Sequence, residues 1–246
     1  MSKKSATSKN RALAQFIWIV IIFVFALFTW FNNEEKAEKQ APKKPAQPKT
    51  EVNAPSNLGN YDTIMEKDNL GQNKRAGVDY YQLALSWSPS FCDLQKRKND
   101  GDTPKHLKYQ CDNAEQFGWV IHGLWPQAED ARAPGDHPRF CQGDLPPVSE
   151  NLIKNYMPES PGASLLQGQW EKHGACAFES AESYFAKQKE LFMGLILPTE
   201  PMDRKALFAW LKKHNPQLKN AYLGATKTEL YICYDKQWNV IDCPRN

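Results

Sequence analysis

From Tyr80 to Trp87 the chain reads YYQLALSW, with Tyr81, Leu83, Leu85 and Trp87 on one face of an extended backbone. Gln82, Ala84 and Ser86 fall on the other face, and this period of two predicts a strand with one face in a core. Residues 117–124 (FGWVIHGL) predict a second strand, stopped by Gly123 and Pro126. Pro, Gly and Asp crowd residues 128–147 and predict a long loop. Ser149 is placed to cap a short helix through Tyr156, and Ser164 another through Lys172. Helical apolar spacing covers residues 179–197 and 201–213, the latter with Leu207, Trp210 and Leu211 on one face. Strands return at 229–234 and 238–243, separated by a turn at Asp235-Lys236. Helices and strands come in runs, not in alternation, so the expected class is α+β: a central antiparallel sheet flanked by helices.

A different pattern occupies the start of the chain. Residues 16–31 (FIWIVIIFVFALFTWF) carry no charge, and extending back to Leu13 makes the run long enough to cross a hydrocarbon core of roughly 30 Å. Lys3, Lys4, Lys9 and Arg11 precede it and should stay in the cytoplasm, leaving the rest of the chain outside. A cleaved signal peptide is the alternative, but the run ends Thr-Trp-Phe and lacks the small residues of a cleavage site. Residues 32–60 are rich in Pro, Lys, Ala and Asn and predict a flexible tether. The organisation expected is a basic tail over 1–15, an anchor over 16–31, a tether over 32–77 and a folded domain over 78–246.

Charge changes what that domain can bind. The net +3 is uneven: residues 1–60 hold nine Lys/Arg against four Asp/Glu, and residues 61–246 hold twenty-two against twenty-four. The domain is mildly acidic, so a polyanion would have to be held by local groups in a cleft and not by a basic surface. All six cysteines (Cys92, Cys111, Cys141, Cys176, Cys233 and Cys243) follow the apolar run, and an even number beyond a membrane reads as three disulfides with the pairing open. Zinc would need His173-x-x-Cys176 or His137-x-x-x-Cys141, and neither has a matching Cys-x-x-Cys, so no metal is expected.

Two of the five histidines have unusual neighbours. His122 lies in IHGLWPQ (121–127), where the glycine after it permits close approach and Pro126 stiffens the chain behind Trp125. His173 lies in LLQGQWEKHGAC (165–176), ending a short helix with Gly174 as the expected cap, Lys172 beside it and Gln169 one turn back. Glu171 points elsewhere. A lone histidine among aromatics is ordinary packing, and packing stays the alternative for Trp125. Two imidazoles at one cleft supply an acid and a base near neutral pH, and a lysine stabilises a transition state that gathers negative charge. That set suits phosphoryl transfer without a metal, with the 2′-hydroxyl of RNA as the nucleophile.

IHGLWPQ and WEKHGAC together resemble the two active-site signatures of the T2-type ribonucleases. YYQLALSWSPSFC (80–92) is similar to that family's first core strand, and YICYDKQWNVIDCP (231–244) to its terminal hairpin. The resemblance implies a disulfide-stapled α+β fold with bonds Cys92–Cys111, Cys141–Cys176 and Cys233–Cys243. It implies cleavage of single-stranded RNA through 2′,3′-cyclic phosphates to 3′-phosphates, without cofactor, with little base preference and without action on DNA. His173 matches the general base, His122 the acid, and Lys172 the residue that stabilises the phosphorane. Trp125 and Gln127 match base-binding positions. Two positions depart from the family pattern: Gly168 stands where an auxiliary histidine is usual, and Gln169 where a glutamate is usual. A monomeric, membrane-tethered ribonuclease with its domain in the periplasm or extracellular space is the leading reading. A non-catalytic RNA-binding relative, and more remotely a structural envelope protein, are the alternatives.

Overall fold

The computed structural model describes residues 52–244. The apolar run at 16–31 and the basic tail before it lie outside these residues. Among the described residues, no helix is long and apolar enough to cross a membrane.

The described chain runs β1 (Tyr80–Trp87), α1 (Ser88–Lys98), α2 (Lys108–Cys111), α3 (Ala114–Phe117), β2 (Trp119–Gln127), α4 (Glu150–Tyr156) and α5 (Ala163–Lys172). It continues through α6 (Ala181–Met193), α7 (Arg204–His214), β3 (Gly224–Ala225), β4 (Glu229–Tyr234) and β5 (Val240–Ile241). The strands form one antiparallel sheet in the order β2-β1-β4-β3, with β5 also paired to β4. The α+β expectation holds.

The alternation in β1 sorts the two faces of this sheet. Leu83 and Leu85 align with Ile232 and Leu230 of β4, and all four are fully buried in the main core. Ile153 of α4, Leu166 of α5, Phe185 of α6 and Leu211 of α7 join them, so the helices cover this face. Tyr184 of α6 locks the layers: its hydroxyl donates to the Leu124 carbonyl at 3.0 Å and accepts from the Leu124 amide at 3.3 Å. On the opposite face Gln82, Ala84 and Ser86 align with Cys233, Tyr231 and Glu229. This face is not solvent either, since Ala84 is fully buried and Ser86 is 6% exposed.

Several local expectations change. β2 does not stop at Gly123; it runs through Pro126 to Gln127, because β1 pairs along its whole length. Pro126 is tolerated since β2 is an edge strand, where a missing N–H costs no ladder bond. The register shifts between Ala84 and Leu85, which face Gly123 and Ile121, so His122 is the extra residue of a β-bulge. Helix α5 begins at Ala163 after Gly162, with no side-chain cap, so Ser164 does not serve as one, whereas Ser149 does accept from the Leu152 amide. Gly174 opens a 3-10 turn (Gly174–Cys176) and is not a left-handed cap. It is glycine for space: a Cβ there would stand 2.6 Å from Tyr184 Cδ1 and 2.7 Å from Trp170 Cε3. The second strand of the terminal hairpin shrinks to Val240–Ile241, because Asp235 Oδ1 gathers the Gln237 and Asn239 amides into a turn that leaves Trp238 at φ +67°. Helices α1–α3 lack the apolar stripe that would predict them, and Cys92–Cys111 ties the first to the second.

The three disulfides are Cys92–Cys111, Cys141–Cys176 and Cys233–Cys243, the pairing the resemblance implied. Cys141–Cys176 takes up both cysteines that a zinc reading required.

The tether expectation fails over residues 52–77, which lie along the domain. Tyr61 enters the core at 9% exposure and donates from its hydroxyl to the Val148 carbonyl at 2.6 Å. The Met65 amide donates to Asp144 Oδ1 at 2.6 Å, and Gln72 Nε2 donates to the Phe140 carbonyl at 2.7 Å. Asn73 and Arg139 exchange both backbone hydrogen bonds, at 2.9 and 3.0 Å. Composition misses this segment because its fastening is mostly polar and one aromatic ring carries the burial.

Candidate active site

One cleft of about 900 Å³ is lined by His122, Trp125, Gln127, Gln169, Lys172 and His173, so every candidate side chain of the two motifs meets there. β2 brings the first three to the polar face of the sheet, and the C-terminal end of α5 brings the others across from it. The bulge at His122 turns that ring out of the regular alternation, which is what bulges do beside functional sites.

Trp125 is the shared neighbour of the two histidines, with ring centroids 5.3 Å from His122 and 5.7 Å from His173. Its indole N–H donates to Gln169 Oε1 at 2.8 Å, which joins β2 to α5. That bond leaves the Gln169 amide nitrogen as its remaining donor. Gly123 makes the join possible: a Cβ there would lie 2.0 Å from Gln169 Oε1 and 2.6 Å from Trp125 Nε1. Gln127 is buried and its amide nitrogen donates to the Pro126 carbonyl at 3.0 Å. Glu171 is fully buried away from this cluster, accepting from Gln167 Nε2 at 2.6 Å and the Leu145 amide at 3.2 Å, as its place on the helix required.

The two imidazoles have opposite surroundings. His122 is half-exposed, and its Nδ1 is hydrogen-bonded to Glu229 Oε1. The Tyr231 hydroxyl donates to the other oxygen, Oε2, at 2.5 Å. Burial pushes the Glu229 carboxyl up, but the hydrogen bond and charge of His122 and the bond from Tyr231 outweigh it and hold the group below its usual value. A carboxylate on Nδ1 fixes the ring and leaves Nε2 for the cleft.

His173 is buried, and its Nδ1 has no hydrogen-bond partner. Burial lowers its pKa well below the ordinary imidazole value, and the charges of Arg139, Lys172 and His122 push the same way against Asp68. The ring is therefore neutral at neutral pH. One ring is hydrogen-bonded to a carboxylate and the other is buried among groups that oppose its charged form, a pairing that suits an acid and a base respectively.

Sequence reasoning missed four participants. Glu229 and Tyr231 share a strand face with Cys233, and the strand expected at 229–234 did not say what that face meets. Asp68 and Arg139 come from segments read as tether and loop. Lys172 Nζ lies 2.5 Å from Asp68 Oδ2, and Arg139 Nη2 lies 2.6 Å from Asp68 Oδ1.

Known proteins share this arrangement of sequence. The model of the Ribonuclease T2 family matches residues 78–223. A protein of Haemophilus influenzae described as a probable ribonuclease is 57% identical over 195 residues, covering 79% of this chain and 72% of its own. A ribonuclease of Aeromonas hydrophila is 32% identical over 114 residues, 46% of this chain and 44% of that one. Among solved structures, an RNase-related protein from Calystegia sepium aligns with a TM-score of 0.49 at 19% identity, covering 70% of this chain and 93% of its own. With a family match across most of the folded domain and a relative alike over more than half of its aligned positions, this chain belongs to the ribonuclease T2 family.

Proposed function

We propose that the protein is a metal-independent endoribonuclease that cleaves single-stranded RNA through 2′,3′-cyclic phosphates to 3′-phosphates. The observation that carries this reading is the opposite support given to two imidazoles in one cleft, with a lysine adjacent to the neutral one. His173, neutral, takes the proton of the 2′-hydroxyl as that oxygen attacks phosphorus. His122, held by Glu229, gives a proton to the departing 5′-oxygen. Lys172 meets the charge that accumulates on the phosphoryl oxygens between those two events. The Trp125 ring lines the same cleft and offers a stacking face that any base accepts, in keeping with weak base selectivity. No step asks for a metal or cofactor.

Incubating the full-length protein with RNA and with DNA in EDTA tests this. Fragments ending in cyclic phosphate from RNA, and intact DNA, are the expected result. RNA bound but left whole would instead support the non-catalytic relative.

Gln169 tunes this chemistry. Its amide nitrogen is available to donate to a phosphoryl oxygen, but an amide does not shuttle a proton. Glutamate fits the same position, since the Trp125 N–H finds an acceptor in either side chain. Gln169→Glu should raise kcat/KM and steepen the acidic limb of the pH–rate profile, because it adds a titrating group to the cleft. Identical profiles for the two proteins from about pH 4 to 8, the range over which carboxylates and imidazoles titrate, would remove this role.

The apolar run at 16–31 and its basic flank support a membrane-anchored protein whose domain works in the periplasm or outside the cell. Intact protein in the membrane fraction is expected; a shortened, soluble form would favour the secreted alternative.

A further inference from the structure

We propose that Asp68, contributed by the segment upstream of the family-matched region, is a positioning residue of the active site that sets Lys172 and Arg139 side by side at the cleft wall. The inference rests on the ribonuclease reading for the role of Lys172, and on the structure for the placement. One carboxylate oxygen of Asp68 meets Lys172 Nζ at 2.5 Å and the other meets Arg139 Nη2 at 2.6 Å. The Leu70 amide donates to Oδ1 at 3.0 Å, which orients the carboxylate from its own backbone. Burial raises the Asp68 pKa, but the hydrogen bonds from Lys172, Leu70 and Arg139 and the Lys172 charge bring it down to about 2, so the group is ionised wherever the enzyme would work.

The segment is fastened on both sides of Asp68. Tyr61 and Met65 hold it before, and Gln72 and Asn73 hold it after. Arg139 Nε also reaches the Gly71 carbonyl, at 3.4 Å. The arginine itself is set by the turn at Phe140, which is fully buried at φ +46° and donates its amide N–H to the Lys172 carbonyl at 2.9 Å. A segment fixed this way behaves as a wall and not as a removable plug.

The departure at Gly168 belongs to the same arrangement. A Cβ at 168 would begin 3.2 Å from Thr63 Oγ1, so any side chain there starts in tight contact with the crossing segment.

Asp68 takes one of the three donors of the Lys172 ammonium and leaves the others. All three line the cleft, and the lysine side chain is the most accessible of them at 27% exposed, against 15% for Asp68 and 8% for Arg139. Holding a flexible lysine in place before the phosphate arrives spares its ordering during the reaction. The trio keeps a net charge of +1 at the cleft wall.

The test is Asp68→Asn in the full-length protein, an isosteric change that keeps the acceptor for Leu70. A fall in kcat of about tenfold or more, with KM unchanged or lower, is expected, because the lysine loses its fixed position while two unshared cations bind phosphate more tightly. An unchanged kcat overturns the proposal, and a raised kcat does so by making Asp68 a competitor of the phosphate. A second arm needs no turnover: inorganic phosphate should bind the variant more tightly than the wild type, and equal or weaker binding also overturns it. Failure of the wild type to cleave RNA at all would defeat the ribonuclease reading, while the phosphate arm still judges the placement of Asp68.

Discussion

Replacing His173 by alanine is expected to cut kcat/KM for single-stranded RNA by about 10²–10⁴-fold, the usual weight of one general acid or base. Its Nδ1 has no hydrogen-bond partner, so the loss removes no side-chain bond at that nitrogen, and thermal unfolding separates lost packing against Trp125 from lost catalysis. In the wild type the same burial fixes the pH dependence. The base must be neutral to accept a proton, and protonation at low pH switches it off. Because burial and the charges of Arg139, Lys172 and His122 depress its pKa, the acidic limb of kcat/KM assigned to this group lies well below the ordinary imidazole value of about 6.5. Stability follows the same sign. Once the pH falls below about 6.5 the unfolded chain takes up a proton that the folded chain refuses, so stability declines as the pH drops toward the folded pKa. An acidic limb at or above 6.5, or an alanine variant of wild-type activity, would remove His173 from the role of base.

Replacing Glu229 by glutamine is expected to lower kcat by about a hundredfold with little change in KM. The carboxylate touches His122 and Tyr231 and lies beneath the acid, so its loss should not disturb the groups that bind the phosphate. Glutamine has the same shape, but it removes the negative charge beside Nδ1. It also allows the amide to turn its NH₂ toward Nδ1, which reverses the hydrogen bond that fixes the tautomer. Glu229 titrates below the usual carboxylate value, because His122 and Tyr231 outweigh the effect of burial, so the carboxylate is ionised at neutral pH. Steady-state kinetics beside thermal unfolding separate the readings. A KM effect without a kcat effect, or a loss of activity explained by unfolding, would leave Glu229 a structural residue.

Both predictions concern residues whose partners lie far away in the chain. His122 and Glu229 are 107 positions apart, and the indole of Trp125 reaches Gln169 across 44. The motifs IHGLWPQ and WEKHGAC identified the two histidines and the lysine because each set is local and unusual. The alternation in YYQLALSW gave the sheet its core face directly, since a period of two is a property of the strand itself. The same alternation put Gln82 on the opposite face, which lines the cleft together with Tyr231 of β4. The bulge at His122 was invisible: it exists only because β1 and β2 pair with one residue to spare.

The sequence by itself determined the class of fold, the family, the six cysteines and the principal chemical groups, because periodicity, composition and short motifs are local. The tertiary structure alone decided which imidazole is neutral and which is backed by a carboxylate, because burial and distant charges set that difference. It also decided that residues 52–77 belong to the domain. A polar segment with one buried tyrosine has no pattern that predicts packing, and its place is set by backbone bonds to Arg139, by the space left at Gly168 and by one carboxylate shared between Lys172 and Arg139.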